Sequence, residues 1–202
     1  MGLCIVKNKI YPKHFKKEYE DGSIYIGNMK NSMRNGYGIY KMTNSNIYYG
    51  MWVNDKKHGK GTIKYYDGSI YEGKFQQDHI NGKGKFKYNN GSFYIGNFLI
   101  GKISGNGELF DSLKNKIYSG EWNNDNFNGY GKFYNDNGTI NYEGNWCDGK
   151  RHGYGVSYDL NGDFFKHGVY VEDVLDSEYH DDYNYESDLT NIPTADAIVV
   201  SN

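Results

Sequence analysis

The residues with the widest chemical repertoire in this chain are six histidines and two cysteines, and their spacing decides whether that repertoire is used. A metal centre needs ligands at a fixed separation, such as histidines four apart on a helix or cysteines two apart. His14, His79, His167 and His180 have no partner at such a spacing, and Cys4 and Cys147 lie far apart. His58 and His152 each stand just before a Gly-x-Gly string, so they occupy equivalent places in a recurring pattern rather than forming one acid–base pair. Lys60-Gly61-Thr62 resembles the end of a phosphate loop, but the G-x-x-x-x-G-K-[ST] spacing is missing. No G-x-S-x-G elbow is present either. No catalytic, cofactor-binding or metal-ligating residue is assigned, and an enzyme is not expected.

The start of the chain suggests a different chemistry. Met1-Gly2-Leu3-Cys4 would expose Gly2 for myristoylation and leave Cys4 beside it for palmitoylation, although Val6 stands where Ser or Thr is usual. Lys7, Lys9, Lys13, Lys16 and Lys17 follow with no acid among residues 1–17. One acyl chain holds a membrane weakly, and a second chain plus a basic cluster facing anionic lipid adds the signals for stable anchoring. Charge then reverses along the chain: residues 1–17 carry +5, residues 18–171 carry +2 and residues 172–202 carry −9, for a net −2. The ends therefore call for different partners, and the near-neutral body has no nucleic-acid footprint. The last apolar run, Ala197-Ile198-Val199-Val200, is too short to span a bilayer, and no signal peptide is read at the start, so a cytosolic, reducing setting is expected.

These groups must be carried by some framework, and composition limits it. With 22 Tyr, 27 Gly and 2 Pro, the chain has too few aliphatic residues for a thick helical core and suits half-exposed strands joined by tight turns. The order is visible as a repeat. Tyr-x-Gly-x-(ring or Met) recurs at Tyr25, Tyr48, Tyr71, Tyr94, Tyr118 and Tyr142, and Gly-x-Gly follows at Gly36, Gly59, Gly82, Gly105, Gly129 and Gly153, both at steps of 23 or 24 residues. Period 2 within each string predicts strands that carry ring, glycine, ring on one face. A glycine between rings leaves a notch for a ring of the neighbouring strand. Asp21-Gly22, Asp67-Gly68, Asn90-Gly91 and Asn137-Gly138 read as turns, so the sequons Asn90-Gly91-Ser92 and Asn137-Gly138-Thr139 are turns rather than glycan acceptors.

Tyr142-Glu143-Gly144-Asn145-Trp146-Cys147-Asp148-Gly149-Lys150-Arg151-His152-Gly153-Tyr154-Gly155, and Lys57-His58-Gly59-Lys60-Gly61 with Asp67-Gly68-Ser69-Ile70-Tyr71, resemble the MORN (membrane occupation and recognition nexus) repeat. The likeness covers about residues 19–170. Met29 replaces the first aromatic, Ser104 replaces the His before Gly105, and His167 stands where a glycine is expected after Phe165, which makes residues 163–171 a degenerate seventh capping unit. The resemblance implies an all-β fold: an elongated, twisted single-layer antiparallel sheet of six hairpins plus the cap. Roughly 13 strands at about 4.8 Å would span about 60 Å. The expected divisions are a basic, acylated segment 1–18, a repeat domain 19–171, and an acidic tail 172–202 that is disordered or forms a short helix packed on the sheet through Val174, Leu175, Tyr179 and Tyr183.

A single-layer sheet cannot bury both faces, so a protein partner or self-association as a homodimer is expected. The implied partner groove is the row Tyr48, Trp52, Tyr71, Phe75, Tyr94, Phe98, Tyr118, Trp122, Tyr142 and Trp146, some of them structural and some exposed anchors. This describes a peripheral scaffold on the cytosolic face of a plasma or pellicle membrane. The alternative is a phosphoinositide-binding module whose loop cations Lys56, Lys57, Lys150 and Arg151 meet lipid head groups.

Overall fold

The computed structural model describes residues 15–178, which form 15 strands and no helix. The first nine are β1 (Phe15–Glu18), β2 (Ile24–Lys30), β3 (Met33–Lys41), β4 (Ile47–Val53), β5 (Lys56–Lys64), β6 (Ile70–Gln76), β7 (His79–Lys87), β8 (Phe93–Leu99) and β9 (Lys102–Phe110). The rest are β10 (Lys116–Asn123), β11 (Asn126–Tyr134), β12 (Ile140–Cys147), β13 (Lys150–Tyr158), β14 (Phe164–Val171) and β15 (Val174–Glu178). Their order in one open antiparallel sheet is the order of the chain. The chain falls into two compact units: residues up to Ser104 with Leu109–Lys114, and Gly105–Glu108 with residues from Asn115 onward.

Two kinds of turn alternate. Inside each repeat two residues reverse the chain, as at Asn54 (φ 48°) and Asp55 (φ 64°) between β4 and β5. Positive φ at both positions is the type I′ geometry that matches the twist of paired strands. Between repeats the reversal is longer. In residues 65–69 the Tyr65 N–H donates to the Ser69 carbonyl, the Gly68 N–H donates to the Tyr65 carbonyl, and Asp67 accepts from the Ser69 N–H and hydroxyl. Asn90 and Asn137 accept the Ser92 and Thr139 N–H groups in the same way, so both sequons are turns.

The sheet is longer than the repeats alone. Antiparallel pairing with β2 brings residues 15–18, expected in the basic head, into the sheet as β1. At the other end, Glu172 (φ 48°) and Asp173 (φ 72°) form one more two-residue turn, which folds β15 back onto β14. Residues 172–178, expected in the acidic tail, are therefore turn and strand, and Val174 and Leu175 lie in β15 rather than on a helix. Tyr179 and Tyr183 lie outside the described residues. A second correction concerns the cap: Gly168 pairs with Gly155 and so keeps the repeat's glycine place. His167, one residue earlier, lies on the other face, buried, with its ring 3.1 Å from the Tyr154 hydroxyl.

Candidate functional site

The repeat's rings are placed by its glycines. In β4 the Tyr48 ring folds back along its own strand over Gly50 and over Gly61, the residue paired with Gly50 on β5. A methyl group added at Gly61 would stand 2.5 Å from Tyr48 Cε2, and one added at Gly50 would stand 2.7 Å from the Gly61 Cα. The notch is therefore filled by the ring two residues earlier on the same strand, not by a neighbouring strand's ring. Gly59 has another role: its φ of +63° allows a bulge, where Lys57 and Gly61 pair with Trp52 and Gly50 and three residues of β5 face Met51 alone. The Met51 carbonyl accepts the Tyr48 hydroxyl at 2.8 Å, so the broken ladder is satisfied by the same tyrosine. Tyr25, Tyr71, Tyr94, Tyr118 and Tyr142 donate in the same way to Asn28, Lys74, Asn97, Glu121 and Asn145.

Each tyrosine edge then meets the next ring. In the first unit Tyr48 touches Trp52 and Phe75 at 5.1 Å each, and Tyr71 touches Phe75 at 5.3 Å and Phe98 at 5.2 Å, all T-shaped. In the second, Tyr142 meets Trp146 at 5.1 Å and Tyr170 at 5.2 Å, while Phe127 stacks on Tyr118 at 3.8 Å. All ten groove residues lie on this face and are buried, from 0% exposure at Tyr48 to 8% at Trp146. The expectation that some are exposed anchors is corrected: each ring is covered by its neighbours and its glycines, and the row is the core. Burial pushes the phenols of Tyr25, Tyr71 and Tyr94 up to about 12, and those of Tyr48, Tyr118 and Tyr142 higher still. They stay neutral at physiological pH and offer no acid–base chemistry.

The accessible rings form a neighbouring row that the sequence reading passed over. Tyr40, Tyr65, Phe86 and Tyr88 share the ring face of the first unit and are half-buried. Phe86 lies 5.8 Å from Tyr65 and 4.8 Å from Tyr88, and Tyr40 sits 5.8 Å from Trp52 beneath the Arg34 guanidinium. The signal was available: positions 40, 63 and 86, and positions 65 and 88, keep the same 23-residue step two and four residues after the Gly-x-Gly string.

The loop cations are engaged within the chain. The Asp78 carboxylate accepts the Lys57 N–H at 2.9 Å and pairs with Lys56 Nζ at 3.2 Å. Lys57 Nζ lies 5.8 Å over the Tyr48 ring, and burial lowers its pKa against the pull of Asp78. Lys150 pairs with Glu172 at 3.1 Å. The Asp173 carboxylate takes both the Arg151 N–H and Nε, and the guanidinium lies 4.9 Å over Tyr170. Arg34 repeats this arrangement with Asp55. These side chains tie one turn to the preceding repeat, so the head-group role expected of them meets cations already held by internal partners. His58, His152 and Cys147 are exposed, and among the described residues no cluster of three or more His, Cys, Asp or Glu could hold a metal. Gly2 and Cys4 lie outside the described residues.

The model of the MORN repeat family matches residues 25–47, 48–70, 71–93, 94–111, 118–140 and 142–164, more than half of the chain. No curated protein matches it. Among solved structures, the TCP domain of Drosophila melanogaster SAS-4 (dCPAP), in complex with a proline-rich motif of Ana2, is similar at 12% identity and TM-score 0.41, covering 84% of this chain and 92% of that one. The TCP10 domain of Danio rerio CPAP, in complex with a STIL peptide, is similar at 11% identity and TM-score 0.18, covering 78% of this chain and 100% of that one.

Proposed function

The chain belongs to the MORN repeat family, and from that premise we propose that it is a non-catalytic scaffold whose first unit captures a protein segment along Tyr40, Tyr65, Phe86 and Tyr88. The observation that carries this reading is the division of labour among the rings. The expected groove row is buried and holds the sheet together, while the neighbouring row is fixed by ring contacts yet leaves part of each ring open. Rigid aromatics that are already ordered lose little side-chain freedom on binding, which is why such residues dominate recognition surfaces. The scaffold is held at the cytosolic face of a membrane by acylation of Gly2 and Cys4 beside the five lysines, a reading that rests on the sequence of residues 1–17. The phosphoinositide alternative would draw on Lys56, Lys57, Lys150 and Arg151, whose partners within the chain are Asp78, Glu172 and Asp173.

Panning a random peptide library against the full chain tests the groove. Peptides selected on the wild type are expected to lose about 30-fold or more in affinity for the Tyr65→Ala/Phe86→Ala variant, the loss of a typical aromatic anchor. Selected peptides that bind the variant equally well would overturn the assignment.

A further inference from the structure

In the first unit, the face opposite the ring row carries lysines at a regular step. Lys41 on β3, Lys64 on β5 and Lys87 on β7 stand 23 residues apart, in the same place of successive repeats. Register puts them in one cross-strand row that reads Lys41, Ile47, Lys64, Ile70, Lys87, Phe93. Further along these strands Lys60 pairs with Lys74, an unfavourable facing of like charges, and Lys83 and Lys85 flank Gly84. All seven lysines are exposed, and one acid, Glu72, stands among them, paired with Thr62 and Lys85. None of the seven is in an ion pair among the described residues. Lys64 lies 5.6 Å over the Tyr49 ring and Lys85 lies 4.1 Å over Phe93, contacts that hold the lysines on the face and leave their charges unmatched. The hairpin does not require this charge: Phe110, Tyr134 and Tyr158 take the same place in the later repeats. In the second unit Lys116 and Lys132 are paired with Glu108 and Glu143.

We infer that this row docks an acidic segment of a partner protein, extended across the strands with a carboxylate at every third residue. Charge complementarity sets the sign of the ligand, and register sets its period. Lys41, Lys64 and Lys87 are two strands apart, a step of about 9.6 Å at the ordinary strand spacing. A chain in the polyproline II conformation turns once in three residues and advances about 9.3 Å, so acids three apart face the sheet together and meet successive lysines. The step is too long for a nucleic acid backbone, whose phosphates follow one another more closely, and Phe93 is already stacked on Phe110 at 4.7 Å and covered by Lys85, which leaves no open ring for a base. Ile47, Ile70 and Phe93 are half-buried between the lysines, so the row offers shallow contacts to a peptide rather than side chains that reach into hydrocarbon. The inference concerns the face opposite the aromatic strip and stands independently of what that strip captures.

Fluorescence anisotropy at low salt tests it, with the full chain titrated into a labelled Glu-Pro-Ala repeat peptide. A Glu-Ala-Pro-Ala repeat with the same number of acids is the probe out of register, and proline holds both peptides extended. The in-register peptide should bind, and the other should bind about threefold or more weakly. The Lys41→Gln/Lys64→Gln/Lys87→Gln variant, shown to be folded by circular dichroism, should lose about tenfold in affinity for the first peptide, the sum of three exposed charge pairs. The Lys41→Arg/Lys64→Arg/Lys87→Arg variant should keep it, and about 1 M salt should abolish it. No binding of the in-register peptide, equal affinity for the two peptides, or an unchanged affinity in the glutamine variant would each overturn the inference. Phosphatidylserine vesicles or oligothymidylate that bind through these three lysines where the peptide does not would also overturn it, and make the face a lipid or nucleic acid surface.

Discussion

Gly61→Ala tests the relation between ring and glycine most sharply. The added methyl would meet Tyr48 Cε2 at 2.5 Å, its hydroxyl at 2.6 Å and Cζ at 2.8 Å, and these are the three nearest atoms. The ring cannot yield, because it is fully buried, wedged between Trp52 and Phe75, and tied to the Met51 carbonyl. Overpacking of this kind costs about 1–3 kcal/mol, and displacing the hydroxyl gives up a hydrogen bond worth about 1 kcal/mol. Against this, replacing a strand glycine by alanine recovers about 0.5–1 kcal/mol of backbone entropy. The balance is a loss of about 2–3 kcal/mol. In a Tyr48→Ala background the obstructing ring is gone, and the same substitution should be neutral or slightly stabilising. The coupling in this double-mutant cycle is therefore expected at about 2–3 kcal/mol, measured by urea unfolding in a Trp122→Phe/Trp146→Phe background, where Trp52 is the remaining tryptophan and reports locally. Gly84→Ala against Tyr71→Ala gives an independent cycle on the next repeat, since there too the nearest atoms are those of the tyrosine. Equal losses from Gly61→Ala in both backgrounds would refute the account and assign the glycine to backbone conformation alone.

Other outcomes follow from the same structure. The phenols of Tyr25, Tyr71 and Tyr94 have folded-state values of about 12, above the ordinary 10, so their contribution is intact below about pH 10 and is lost as pH rises toward 12; absorbance at 295 nm should show these rings ionising late, together with unfolding. Asp55→Ala removes the acceptor of the Arg34 N–H and Nε and should cost about 1–2 kcal/mol in thermal or urea unfolding, whereas Asp67→Ala, in an exposed turn, should cost less. Gly2→Ala should move the protein from the membrane to the soluble fraction of cells, and unchanged fractionation would rule out the acyl anchor.

The sequence by itself determined the strands, their order and the face on which the rings lie, because Tyr-x-Gly and Gly-x-Gly at period 2, repeated every 23 or 24 residues, leave one way to alternate strand and turn. Asp21-Gly22 and Asn137-Gly138 were legible as turns because their side-chain and backbone chemistry is local. Only the tertiary structure decided which rings are core. Whether Trp52 is an anchor or a filler depends on Tyr48 lying back over Gly61 and on Phe75 arriving from the next repeat, and parity says nothing about such coverage. The same holds for the cations: Lys150 and Arg151 read as free loop charges until Glu172 and Asp173, distant in sequence, are brought beside them by β14. It holds as well for the ends of the sheet. Residues 172–178 were too acidic to read as a strand, yet the turn at Glu172-Asp173 places them against an open edge whose backbone groups need partners, and that demand outweighs local composition.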